Sequence, residues 1–166
     1  GSLTLSSLYS CGSNDAGRSL AVDSSGNVYF IGYFNGLADF DPTSGISYLT
    51  STSFIDIYIT KFDSLGNLNW AYNFGGSPYN GGLALELDNL NNIYATGYFR
   101  GTADFDCGTG TFNLISEGYH DVFILKLGQE PLGINEDSNK HKILIYPNPS
   151  SNYIDLETNL KDYSLS

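Results

Sequence analysis

Asp39 and Asp41 bracket Phe40, and sixty-five residues later Asp104 and Asp106 bracket Phe105. In an extended segment, residues two apart point to the same side. Each pair therefore brings two carboxylates together and turns the intervening Phe inward. Two carboxylates with nearby loop carbonyls are hard oxygen donors of the kind that Ca²⁺ takes. The same side chains serve equally well as turn formers, accepting bonds from backbone N–H groups of a Pro- and Gly-containing loop. Both readings are open at this stage: a Ca²⁺ site on Asp39, Asp41, Asp104 and Asp106, or carboxylates that only shape their loops.

Other catalytic equipment is thin. His120 and His141 are the only histidines. His120 precedes Asp121, a pairing that invites general-base chemistry. The matching residue of the earlier copy is Ile55, however, which favours a solvent-facing loop residue. There is no Gly-x-Ser-x-Gly elbow, His-Glu-x-x-His pattern or phosphate-cradling loop. Gly75, Gly76, Gly81 and Gly82 read as turn glycines, because no helical pattern follows them. Tyr33, Phe34, Tyr98 and Phe99 are candidates for stacking on a sugar, but alternate strand residues face opposite sides and a blade packs on both faces, so they read better as core.

The elements that must position these residues come from an internal repeat. Gly32-Tyr33-Phe34-Asn35-Gly36-Leu37-Ala38-Asp39-Phe40-Asp41 returns as Gly97-Tyr98-Phe99-Arg100-Gly101-Thr102-Ala103-Asp104-Phe105-Asp106, with two of the ten positions changed. The offset holds outward without a gap: Asp23 falls on Asp88, Tyr29 on Tyr94, Asp56 on Asp121 and Lys61 on Lys126. A fixed period means one supersecondary unit used twice. Within it, Ser19–Asp23, Val28–Phe34, Asp56–Phe62 and Leu68–Phe74 alternate as strands, and Ile46–Thr50 reads as a shorter one. Asp23 to Asn27 and Asp63 to Asn67 read as tight turns, with Asp88 the counterpart of Asp23. Asp56 and Asp121, each opening a strand, read as loop or inter-unit hydrogen-bonders. Four antiparallel strands per repeat, joined by short turns, describe a propeller blade. The excess over the usual blade length lies in the insert Gly36–Ser51 and its twin Gly101–Ser116.

Composition agrees with an all-β chain. Among 166 residues there are 13 Tyr, 10 Phe and 19 Gly. Seven basic residues against 18 acidic ones give a net charge of −11, which argues against nucleic acid or an anionic membrane surface as partner. No apolar run is long enough for a membrane helix. No signal peptide is visible and there is no Met, so the chain is expected to be a mature piece or a fragment.

Leu20-Ala21-Val22-Asp23 with Gly26-Asn27-Val28-Tyr29, then Gly32-Tyr33-Phe34, Ala38-Asp39-Phe40-Asp41-Pro42, Asp56 to Phe62 and Gly66-Asn67-Leu68-Asn69-Trp70 resemble the bacterial β-propeller repeat called SBBP. The likeness covers about residues 9–127 and implies secreted or surface proteins with several blades around an axis, without implying one activity. The second copy departs in its turn, where Asn91-Asn92 stands for Gly-Asn. Residues 129–141 are polar and turn-rich and read as a linker. Ile145-Tyr146-Pro147-Asn148-Pro149 with Tyr153-Ile154 then resembles the start of the C-terminal sorting domain of type IX secretion cargo in Bacteroidota, an Ig-like β-sandwich of which residues 142–166 cover a part. Asp63-Ser64-Leu65 is similar to the short O-glycosylation site of the same bacteria, which makes Ser64 a candidate acceptor. In that secreted setting Cys11 and Cys107 are either a disulfide or two separate thiols.

The expected organisation is all-β. A strand in residues 1–10 completes a blade, and propeller repeats occupy residues 11–74 and 75–128. The linker follows, and then a partial sorting domain. Two blades leave open faces, so a homo-oligomer or a place in a longer propeller is expected. The expected function is non-enzymatic: a scaffold outside a Gram-negative cell, acting by self-association or adhesion to proteins or glycans and handled by the type IX machinery through residues 142–166. The alternatives are a secreted polysaccharide-acting enzyme using the loop aspartates, and a Ca²⁺-stabilised structural repeat.

Overall fold

A computed structural model describes residues 14–128 and the strand Ile143–Ile145. Leu3–Ser10, Cys11, the linker 129–141 and the rest of the tail lie outside the described residues. All regular structure is antiparallel β, with no helix among the described residues.

The first repeat supplies β1 (Ala16–Val22), β2 (Val28–Phe34), β3 (Leu37–Asp39), β4 (Tyr48–Thr50), β5 (Asp56–Phe62) and β6 (Leu68–Phe74). The second supplies β7 (Gly81–Leu87), β8 (Ile93–Phe99), β9 (Thr102–Asp104), β10 (Asn113–Ile115) and β11 (Asp121–Leu127), and Ile143–Ile145 is β12. The strands β1-β2-β5-β6 form one four-stranded sheet and β7-β8-β11-β12 another. The insert of each repeat is a small hairpin of its own, β3-β4 and β9-β10. Its first strand, Leu37–Asp39 or Thr102–Asp104, is three residues long and leaves no periodic signal in the sequence. The outer edge of β11, which Leu3–Ser10 was expected to fill, is paired by β12, with Leu125 opposite Ile145 and Leu127 opposite Ile143.

One turn chemistry closes three hairpins. Asp23 Oδ1 accepts the N–H groups of Ser25 and Asn27, each at 2.9 Å, and Oδ2 accepts the Asn27 side-chain amide at 2.7 Å. Asp63 holds Leu65 and Asn67 in the same way, and Asp88 holds Leu90 and Asn92. The fourth residue of each turn needs a left-handed backbone. Gly26 (φ +81°) and Gly66 (φ +89°) provide it in two, and Asn91 (φ +61°) in the third. Asn is the residue that tolerates this region best after Gly, so the change at Asn91 keeps the turn.

The two sheets share a core. Tyr29 and Ile31 on β2, Ile57 and Ile59 on β5 and Phe74 on β6 lie on one face of the first sheet. They are buried against Ile93, Ala95, Phe123, Leu125 and their neighbours on the facing side of the second. Each such side chain contributes about 1.5–3 kcal/mol on leaving water. Close approach depends on Gly82: a Cβ there would fall 2.4 Å from Ile31 Cγ1. The insert hairpins tuck a ring beneath each sheet. Phe40 meets Phe34 and Tyr58 at 5.3 and 5.0 Å between centroids. Phe105 meets Phe99 and Phe123 at 5.5 and 5.0 Å, and also stacks on Phe74 of the other sheet at 6.2 Å.

Candidate functional site

The paired aspartates are loop carboxylates in the geometry of their hydrogen bonds. Asp39 Oδ1 accepts the N–H groups of Asp41 and Ser47 at 3.1 and 2.9 Å. Asp41 Oδ1 accepts the Thr43 N–H and hydroxyl at 2.8 and 2.7 Å. Asp104 Oδ1 accepts Asp106 N–H and Phe112 N–H at 2.9 and 2.7 Å, and Asp106 Oδ1 accepts Gly108 N–H at 2.6 Å. Phe40 and Phe105 between them are fully buried, as their spacing implies. One oxygen of each carboxylate, Oδ1, is thus already committed to backbone donors. No cluster of three His, Cys, Asp or Glu side chains placed to hold a metal occurs among the described residues.

Asp56 works at the junction of the repeats. It is buried, and its Oδ2 accepts the Thr52 N–H and hydroxyl at 2.7 and 2.9 Å. Asn80 Nδ2 donates to Ile55 O at 3.1 Å and Asp56 Oδ1 at 3.4 Å across the junction, and to Ser77 O of its own repeat at 2.7 Å. Asn80 is fully buried and gave no signal in the sequence, because the residue matching it in the first repeat is Asp15. Asp121 keeps the loop half of this arrangement, accepting Glu117 N–H at 3.0 Å.

Ser64 is exposed at the tip of its turn, beside a carboxylate already tied to the backbone. Cys107 is half-buried and carries a free thiol. Burial, and then the charge of Asp106, push its pKa up to about 11, so it is a poor nucleophile at neutral pH.

The outer face of the second sheet carries the counterparts of residues that are core in the first. Tyr29 is 0% exposed and Tyr94 39%; Ile57 is 1% exposed and Val122 45%; Ile59 is 0% exposed and Ile124 45%. Even the flanking cation repeats: Lys61 lies 5.0 Å over the Tyr29 ring and Lys126 5.0 Å over the Tyr94 ring. The same surface is covered once, by the second sheet, and open once.

At one end of this face an open cleft of about 580 Å³ is lined by Tyr79, Tyr98, Tyr119 and His120. His120 sits edge-on to Tyr119 at 4.6 Å and to Tyr98 at 5.0 Å. The Arg100 guanidinium lies 4.2 Å over Tyr119 and 5.9 Å from the Tyr79 ring centre. Phe34 and Phe99 are core as expected, whereas Tyr98 is half-exposed in this cleft.

Comparison of the chain with protein-family models, curated proteins and solved structures finds no match.

Proposed function

We propose that this chain is a non-enzymatic scaffold of two β-propeller-type blades, exported to the outside of the cell, that works by self-association and adhesion. The observation that carries it is the repeated face. Tyr29, Ile57 and Ile59 are sealed by the neighbouring unit, while Tyr94, Val122 and Ile124 present the same chemistry to water. Such a surface is complementary to the opposite side of the same kind of unit, so contact between copies is head-to-tail and closes into a ring or runs on as a filament. The order β1-β2-β5-β6, repeated as β7-β8-β11-β12, supports the blade reading. The likeness of residues 142–166 to a type IX sorting domain supports export. Ca²⁺ stabilisation and catalysis by Asp39, Asp41, Asp104 or Asp106 draw less support, since each of these carboxylates serves its own loop backbone.

Sedimentation velocity of the full chain over a hundredfold range of concentration tests the proposal. Reversible oligomers are expected, and the double variant Val122→Lys, Ile124→Lys is expected to run as a monomer. A wild-type chain that stays monomeric throughout overturns the self-association reading.

A further inference from the structure

We propose that the cleft between Tyr79, Tyr98, Tyr119, His120 and Arg100 binds a saccharide bearing a single carboxylate. The proposal rests on the adhesion reading above and names a ligand class for it.

The rings are set in place before any ligand arrives. Tyr119 and Tyr79 are exposed, yet Arg100 lies against both, His120 meets Tyr119 edge-on, and Phe54 meets Tyr79 edge-on at 5.5 Å. Tyr98 lies against β7 because Gly81 has no side chain: a Cβ there would stand 2.7 Å from the ring. Preordered aromatic surfaces lose little freedom on binding, which is the usual obstacle for a weak, polar ligand.

The cleft is a property of the second repeat and not of the fold. The first repeat has Asn14, Ala16, Asn35, Phe54 and Ile55 where the second has Tyr79, Gly81, Arg100, Tyr119 and His120. Tyr33, the counterpart of Tyr98, is capped there by Arg18, whose Nη2 donates to the Tyr33 hydroxyl at 2.9 Å and whose guanidinium lies 5.1 Å over the ring. Arg100 is one of the two changes within the ten-residue repeated motif.

The chemistry selects the ligand. Tyr faces take the C–H side of a pyranose, while Tyr hydroxyls and the imidazole meet its hydroxyl groups. Among the described residues no carboxylate pairs with Arg100, and its planar N–H fork suits a carboxylate bidentately. The cleft presents one guanidinium and the chain's net charge of −11 disfavours polyanions, so a ligand with one acidic group matches it best. The cleft also remains open beside a docked unit. Phe54, the counterpart of Tyr119, stays exposed with the second sheet in place and touches Tyr79 in the loop before β7.

The test is calorimetric titration of the full chain with cellobiouronic acid and with cellobiose, which differ in one carboxylate. The acid is expected to bind roughly tenfold tighter than the neutral sugar. Arg100→Gln is expected to erase that difference, and Tyr119→Ala to weaken both sugars by roughly tenfold; both side chains sit at the cleft surface, and far-UV circular dichroism checks that the fold is kept. Absence of binding at millimolar sugar, equal affinity for the two sugars, or an unchanged affinity in Tyr119→Ala overturns the proposal. Titration of an Ile124→Lys chain, altered opposite Thr96 and not opposite Tyr98, separates the two readings, since sugar binding is expected to survive weakened association.

Discussion

Ile59 and Ile124 occupy the same position in successive repeats, so replacing each by Ala is a controlled comparison. Ile59→Ala removes three carbons from a side chain that the second sheet seals completely. At about 0.8 kcal/mol per buried carbon the transfer loss is about 2.4 kcal/mol, and the unfilled space places the total in the upper part of the roughly 2–5 kcal/mol range for such changes. Ile124 is 45% exposed and leaves no closed cavity, so Ile124→Ala in a dilute, monomeric sample costs about 1 kcal/mol. The assay is urea unfolding followed by the fluorescence of Trp70, the only Trp, which stacks on Tyr72 at 4.8 Å and meets Tyr29 edge-on. Run at low and high protein concentration, it separates two effects. Ile59→Ala shifts the midpoint equally at both, while the cost of Ile124→Ala grows with concentration as the outer face becomes covered. If Ile124→Ala destabilises the dilute chain as much as Ile59→Ala does, the outer face is already sealed within one molecule, and the case for association through it fails.

Three further outcomes are expected. Asp63 and Asp88 are held below their ordinary pKa by the side-chain amides of Asn67 and Asn92; burial raises Asp23, but its bonds from Asn27, Ser25 and Tyr29 outweigh that and lower it too. Carboxylates lowered on folding stabilise above their unfolded pKa, so the urea midpoint should be level from neutral pH to about 5 and fall as pH drops through and below about 4; a midpoint that rises on acidification refutes this. Asn80→Asp sets a second carboxylate against Asp56 and removes the donor to Ser77 O and Ile55 O, so it should cost about 3 kcal/mol or more, against about 1–3 kcal/mol for Asn80→Ala; equal costs in a denaturation series would discount the charge argument. Because Oδ1 of each of Asp39, Asp41, Asp104 and Asp106 serves backbone donors and no third ligating side chain joins either pair among the described residues, millimolar Ca²⁺ or a chelator should leave the thermal midpoint unchanged; a clear rise with Ca²⁺ would favour the cation-site reading.

Much of the architecture was readable before any coordinates. Val28–Phe34, Asp56–Phe62 and Leu68–Phe74 are bounded by turn residues with a fixed chemistry, and the observed strands keep those limits. The first strand begins at Ala16, three residues before the alternation that starts at Ser19, because Ala16-Gly17-Arg18 does not alternate and β1 carries an irregularity between Gly17 and Ser19. The short strands β3 and β9 were missed for want of length. Phe40 and Phe105 were placed inward correctly, since a two-residue period between carboxylates leaves the ring no other side. The cleft was not legible: its parts come from separate stretches around Tyr79, Tyr98, Arg100 and Tyr119, and Tyr98 alone is shared by both repeats. The mismatch of Arg100 with Asn35 inside a nearly invariant motif was the one local clue. The Asn80 link was hidden for a similar reason, as a buried amide across a junction has no spacing rule.

The fourth strand of the second sheet comes from beyond residue 142, not from the repeat itself. A cut anywhere between Gly128 and Ile143 detaches it from the polypeptide that it completes. The flank of Leu125–Leu127 then offers unsatisfied amide and carbonyl groups. Without residues 143–145 that edge stands open to any other strand able to pair with it antiparallel, so the tail is what keeps the second sheet from adding a foreign ribbon.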